Sequence, residues 1–159
     1  MREVRVLFVC LGNICRSPTA HGVMEGLAAS GDHGLRIEVD SAGTGAWHIG
    51  HPPDDRSQAA ARQRGLDLSA QRARRVELED FHRFHLILAM DEQNLADLEE
   101  MRPSDATAEL ALLLSYAEGV DLRSVPDPYY GGANGFEQVL DLVEQGCAGL
   151  LEELRRRYA

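Results

Sequence analysis

Val6-Leu7-Phe8-Val9-Cys10-Leu11-Gly12-Asn13-Ile14-Cys15-Arg16-Ser17-Pro18-Thr19-Ala20 is the stretch that decides how this chain is read. The apolar run belongs to a short strand over Val4 to Val9, rich in branched residues and suited to the interior of a parallel sheet. Pro18 suits the first turn of a helix that opens here. Between strand and helix, five residues separate Cys10 from Arg16. That is enough for one tight turn of backbone around a tetrahedral oxyanion. A strand, an anion loop and a helix N-terminus together form a phosphate cradle. A cysteine at its base adds a candidate phosphoryl acceptor.

Outward from the loop, helices and strands alternate. Ser17 to about Ser30 reads as a helix with Ala20, Val23, Met24 and Leu27 as its apolar stripe. Leu35 to Val39 alternates like a strand and runs into Asp40-Ser41-Ala42-Gly43-Thr44-Gly45, a turn-rich loop. Pro53 to Arg64 reads as a helix stopped by Gly65, followed by a polar stretch over 67–75. Glu79 to Phe84 fits a helical turn, His85 to Met90 a third strand, and Glu92 to Met101 a helix. Leu110 to Leu114 fits a fourth strand, and also a turn of helix. Residues 115–135 read as a long loop, and Phe136 to Arg157 as a closing helix.

This alternation predicts an α/β fold with a parallel sheet covered on both faces. Right-handed crossovers then gather the strand C-terminal ends on one edge. That edge collects Cys10–Ser17, Ser41–Trp47 and Asp91, and the long loop can reach it. Internal repeats, low-complexity tracts and linkers are absent, so residues 1–159 read as a single domain.

The net charge of −10 argues against nonspecific nucleic-acid binding. It also repels phosphorylated ligands, so a phosphate site has to be locally positive. All 16 basic residues are arginine; the sequence offers no functional account of this. No apolar stretch is long enough to cross a bilayer, and no signal peptide is legible, so the expected location is the cytoplasm. Cys10, Cys15 and Cys147 do not make a secreted disulfide framework. Cys147 falls in the apolar pattern of the last helix and reads as a small buried hydrophobe.

The chemistry is read residue by residue. Cys10 would sit beneath loop N–H groups, at a helix N-terminus and near Arg16. All three favour the thiolate, which is the nucleophilic form. Ser17 can donate its hydroxyl to the sulfur. Arg16 can fork onto two phosphoryl oxygens, and without an anion its charge would oppose the helix dipole. Gly12 lets the backbone curl toward a ligand, and Asn13 tolerates left-handed angles. Asp127, held between Pro126 and Pro128, is the candidate general acid for a departing phenolate. Tyr129 and Tyr130 are placed either to wall an aryl slot or to pack on the core. Trp47 reads equally as an opposite wall or as a buried structural indole. Asp91 either orients Arg16 and the loop or caps the next helix. His48 and His51 read as surface histidines rather than a metal pair, since no third ligand is close in sequence.

Taken together, these segments resemble the low-molecular-weight protein tyrosine phosphatases. The resemblance rests on Val9 through Pro18, Asp40-Ser41-Ala42-Gly43-Thr44, Trp47-His48-Ile49-Gly50, Met90-Asp91 with Asn94, and Asp127-Pro128-Tyr129-Tyr130-Gly131. It implies a three-layer, flavodoxin/Rossmann-like α/β/α fold on a four-stranded parallel sheet. It implies a two-step reaction through a cysteinyl-phosphate at Cys10, with Arg16 binding phosphate and Asp127 acting as acid and then base. Asn13, Ser17 and Ser41 match positions that brace the phosphate loop. Trp47, Tyr129 and Tyr130 match an aromatic rim, with Leu11 and Ile14 at the mouth. Phosphotyrosine-containing proteins are the implied partners, with no metal or organic cofactor, no membrane, and a monomer or weak dimer. Cys15 matches a second loop cysteine, either a redox partner for Cys10 or a packing residue. One departure is Gln71, where many members carry a histidine that bonds the loop asparagine. Two rivals remain: a thiol-coupled arsenate reductase, which needs further cysteines, and a non-enzymatic phosphate-binding module, which needs neither Cys10 nor Asp127.

Overall fold

The computed structural model describes residues 2–31, 33–128 and 134–159. Four strands, β1 (Arg2–Cys10), β2 (Leu35–Gly43), β3 (Leu86–Ala89) and β4 (Glu109–Leu112), form one parallel sheet in the order β2-β1-β3-β4. The helices are α1 (Arg16–Ser30), α2 (Asp55–Gln63), α3 (Asp80–Arg83), α4 (Glu92–Met101) and α5 (Gly135–Tyr158). The α/β architecture expected from the sequence is thus the observed one.

β1 is central, and its side chains alternate between two cores. Val4, Val6, Phe8 and Cys10 join the core built with α1 and α5. Leu7 and Val9 join the other, with Phe81 of α3, Ile87 of β3 and Leu98 of α4. Burial on both faces explains why this strand reads as a continuous apolar run rather than an alternating one. Arg64, beside α2, grips α5 through Glu137, Asp141 and Glu144 at 2.6, 3.0 and 3.1 Å.

Two boundaries depart from the expected ones for clear reasons. β2 continues past Val39 to Gly43, because Asp40-Ser41-Ala42-Gly43 pairs in register with Leu7 through Cys10. Polar, turn-prone residues are therefore held extended by ladder bonds to β1. The fourth strand ends at Leu112, and Leu113–Tyr116 turns into a 3₁₀ helix inside what reads as strand and loop. Ser115 Oγ bonds Leu112 O at 2.6 Å and steadies that turn. Smaller shifts occur at α2, which begins after its cap Asp54 rather than at Pro53.

The sheet order has a functional consequence. The chain leaves β1 toward β2 on one side and leaves β3 toward β4 on the other. A crevice therefore opens at the C-terminal ends of β1 and β3, where ligands bind in open α/β sheets. Cys10 ends β1 and Asp91 follows β3. The long loop joins them there, since Val125 N–H donates to Met90 O at 2.8 Å.

Candidate active site

Residues 11–15 make the turn between β1 and α1. The surrounding backbone draws its carbonyls outward. Cys10 O accepts from Thr44 N–H and Leu11 O from Gly45 N–H, both at 2.9 Å. Ile14 O accepts from Asp54 N–H at 2.8 Å, and Cys15 O from the Thr19 hydroxyl at 2.7 Å. All of these peptides are trans, and a trans peptide points its N–H opposite to its carbonyl. The N–H groups of Leu11, Gly12, Cys15 and Arg16 therefore face the inside of the turn. α1 also lacks a side-chain cap. An anion in the turn would satisfy its first N–H groups and meet the positive end of its dipole.

Asn13 holds the turn closed. Its φ of 59° is the only positive value at a non-glycine among the described residues. Its Oδ1 accepts from Arg74 N–H at 3.0 Å, which fixes the amide orientation. Its Nδ2 then donates to Ser17 Oγ at 2.8 Å and to Ser41 Oγ at 3.0 Å. Gly43 lets β2 lie directly against this loop. A methyl there would stand 2.7 Å from Leu11 O and 3.2 Å from Asn13 N.

Cys10 is 3% exposed, with Sγ 3.0 Å from Ser17 Oγ. Because Ser17 Oγ already accepts from Asn13, its own proton turns either to the sulfur or to Ala42 O at 3.4 Å. Arg16 is also 3% exposed. Burial works against its charge, but the Cys10 sulfur, Asp91 and Asp127 outweigh burial and raise its pKa. Its Nη1 donates to Asp91 Oδ2 at 2.6 Å and to Val125 O at 3.0 Å, while Nη2 lies 3.7 Å from Asp127 Oδ2. Asp91 performs both tasks that the sequence left open. Its Oδ1 also caps α4 by accepting from Asn94 N–H at 2.6 Å, within a reciprocal capping box. At Cys15, burial, opposed only in part by a Ser57 hydrogen bond, pushes the thiol up to about 12. It stays protonated at neutral pH.

These groups open onto a cavity of about 350 Å³. It is lined by Cys10, Cys15 and Arg16, by Leu11, Gly12 and Ile14 of the loop, and by Trp47, His48 and Asp127. Asn13 and Ser17, which match bracing positions of the loop, do not line it. They are 2% and 0% exposed and act from behind. Trp47 is 69% exposed, so it is not a buried structural indole. Its ring lies on Gly45, where there is no side chain to displace it. Leu11 is exposed as well, and with Trp47 and Ile14 it gives the cavity an apolar wall. Tyr129 and Tyr130 lie outside the described residues.

Two residues gain a definite place. His48, half-buried at the surface, lines the cavity with its ring against Gly12. The Trp47-His48-Ile49-Gly50 segment marks the position, but not the contact, which depends on Gly12 having no side chain. Gln71 bonds Ser41 Oγ at 3.5 Å and Pro18 O at 3.0 Å, rather than the loop asparagine. Three contributors escaped the sequence reading: the Val125 carbonyl, the Arg74 N–H and the His21 imidazole, 3.3 Å from Ser41 Oγ. The first two are backbone groups, which every residue carries and no residue type signals. Among the described residues no group of three or more His, Cys, Asp or Glu side chains could hold a metal ion, and no helix is long and apolar enough to cross a membrane.

With the geometry in view, comparison with known proteins gives a consistent result. Residues 5–159 match the family model described as low molecular weight phosphotyrosine protein phosphatase. The chain is 43% identical over 153 residues to the low molecular weight protein-tyrosine-phosphatase YfkJ of Bacillus subtilis, covering 96% of this chain and 97% of that protein. It is 42% identical over 150 residues to the human low molecular weight phosphotyrosine protein phosphatase, covering 93% and 94%. The crystal structure of YfkJ superposes with a TM-score of 0.91, covering 100% of this chain and 99% of that one. This chain belongs to the low molecular weight phosphotyrosine protein phosphatase family.

Proposed function

We propose that the protein hydrolyses phosphotyrosine in proteins, and small aryl phosphates, in two steps through a cysteinyl-phosphate on Cys10. The phosphoryl group sits in the turn, with its oxygens on the inward N–H groups and on the Arg16 guanidinium. The Cys10 thiolate attacks phosphorus, forming the S–P bond as the bond to the phenolic oxygen breaks. Asp127, as the carboxylic acid, gives its proton to that oxygen. In the second step Asp127, now a carboxylate, takes a proton from water as the water oxygen attacks phosphorus. The S–P bond breaks, inorganic phosphate leaves and the thiolate returns. Arg16 is well placed to follow the charge, since its guanidinium is held on Asp91 and Val125 O. Such fixed donors need no reorganisation at the transition state.

The observation that carries this reading is the meeting of Cys10, Arg16 and Asp127 around one cavity. They come from two distant parts of the chain, the first loop and the segment near Val125, and a phosphate-binding module needs only Arg16. The apolar lining of Trp47, Leu11 and Ile14 favours an aryl substrate. Arsenate reduction is disfavoured because the only cysteine outside the loop, Cys147, is fully buried and its thiol is pushed up by burial. Residues 1–159 act as one unit in this reading. The three free thiols fit a reducing compartment, the cytoplasm.

Steady-state hydrolysis of p-nitrophenyl phosphate tests the assignment. Cys10→Ser is expected to abolish turnover. Asp127→Ala is expected to lower it roughly 10²–10⁴-fold, the range of a lost general acid. Activity of Cys10→Ser close to the unmodified protein would refute the mechanism, and arsenate reduction assayed in parallel separates the rival.

A further inference from the structure

Ser41 sits behind the phosphate turn with one proton and three neighbours. Asn13 Nδ2 donates to its Oγ at 3.0 Å, and can do nothing else, because Asn13 Oδ1 is held by Arg74 N–H. Gln71 Oε1, 3.5 Å away, can only accept, because Gln71 Nε2 is committed to Pro18 O. The third neighbour is His21 Nδ1 at 3.3 Å. An imidazole nitrogen accepts when bare and donates when protonated. We infer that His21 is a positioning residue whose protonation state sets which way the Ser41 hydroxyl proton points, toward His21 or toward Gln71, behind the Asn13 and Ser17 brace of Cys10. The inference rests on the function proposed above.

The two states follow from counting protons. With His21 neutral, Nε2–H faces Glu25 Oε1 at 3.4 Å and Nδ1 is bare. Ser41 then donates to His21. With His21 protonated on both nitrogens, Nδ1–H donates to Ser41 Oγ, and the Ser41 proton swings to Gln71 Oε1. The two states differ in one hydroxyl proton, which Gln71 Oε1 receives only in the second, and both leave the Asn13 bonds to Ser41 and Ser17 in place. The charged groups around this site are Glu25 on the same helix and, beyond Ser41, Asp40 and Arg74. Asp40 Oδ1 accepts from Ser41 N–H at 2.8 Å, and Asp40 Oδ2 lies 3.1 Å from the Arg74 guanidinium. The His21 side chain is 13% exposed, enough to exchange protons with water while remaining packed against the network. From Ser41 the chain runs through the Asn13 amide to Ser17 Oγ, and Ser17 stands 3.0 Å from the sulfur. Such a chain polarises its members in sequence. An imidazole is the one side chain that ordinarily changes charge near neutral pH.

The test compares His21→Leu, His21→Gln and the double variant His21→Leu/Ser41→Ala, all in the full chain. Thermal unfolding checks that each is folded, and kcat and KM for p-nitrophenyl phosphate are measured from pH 5 to 8, the range where histidine ordinarily titrates. His21→Leu is expected to lower kcat roughly 3–10-fold with little change in KM, and to add nothing further in the Ser41→Ala background, as coupling through one partner requires. His21→Gln keeps a hydrogen-bonding group toward Ser41 but cannot titrate. It is expected to hold the rate near that of the unmodified protein and to lose one inflection of the kcat profile. Profiles of His21→Gln and the unmodified protein that superimpose would overturn the inference, as would full additivity of His21→Leu with Ser41→Ala. Absence of aryl phosphate hydrolysis in the unmodified protein would instead overturn the proposed function. If His21→Leu fails to fold, the His21→Gln profile alone decides.

Discussion

Gly43 shows how a residue far from the chemistry in sequence can set it. Its place in β2 puts the backbone of Leu11, Gly12 and Asn13 within 2.7–3.2 Å of where a side chain would begin. None of those atoms belongs to a side chain that can rotate away. Gly43→Ala is therefore expected to push the turn outward, splay the inward N–H groups and lower kcat/KM for an aryl phosphate at least ~10-fold, with a stability loss of about 1–3 kcal/mol typical of overpacking. Kinetics and thermal unfolding on the same sample check both effects. The sequence displayed this glycine only as part of a turn-rich run. What it could not display is the closeness of two backbones, which is a property of strand pairing. Cys10 and Arg16 were legible as a pair because they bracket one short glycine loop between a strand and a helix, and Asp127 because it stands between two prolines. His48 and His21 were not, because a histidine means something only once its neighbours are known.

At the scale of elements, β1 and β3 are locked at their entry ends by one side chain. His85 Nδ1 accepts from Arg5 N–H at 2.9 Å, and Arg5 O accepts from His85 N–H at 2.8 Å. Burial, then the nearby charges of Arg5 and Arg2, lower the pKa of this imidazole. A lowered value means that the unfolded chain binds the proton first. The stabilisation is complete above about pH 6.5, the ordinary histidine value, and is lost as pH falls through the lower folded value. A protonated Nδ1 can no longer accept, so roughly 0.5–1.5 kcal/mol should vanish on acidification. His85→Asn offers an acceptor that does not titrate. Urea unfolding at pH 7.5 and pH 5 should show that this variant loses less stability than the unmodified protein over that interval. Equal losses would remove His85 as a source. The elements themselves were legible from period and breakers, except where β1 imposed its ladder on Asp40–Gly43. Local preference yielded there to pairing with the buried Leu7–Cys10 half of β1.

Over the whole molecule, a body of net charge −10 concentrates buried positive charge and oriented N–H groups at one crevice of the sheet. The order β2-β1-β3-β4 fixes where that crevice lies. It brings the end of β1, the start of α4 and the segment near Val125 within reach of one arginine. The fold class was legible because strands and helices alternate. The meeting of Asp127 with Arg16 came from the family resemblance, since no local rule says which way a long loop returns. The central claim is that phosphorus passes through sulfur. Rapid mixing with a radiolabelled aryl phosphate, acid quench and mass mapping of the labelled peptide tests this directly. The account predicts phosphate attached to Cys10, on a peptide that loses the label in Cys10→Ser; phosphate on any other residue, or full turnover with no covalent phosphate at any mixing time, would contradict it.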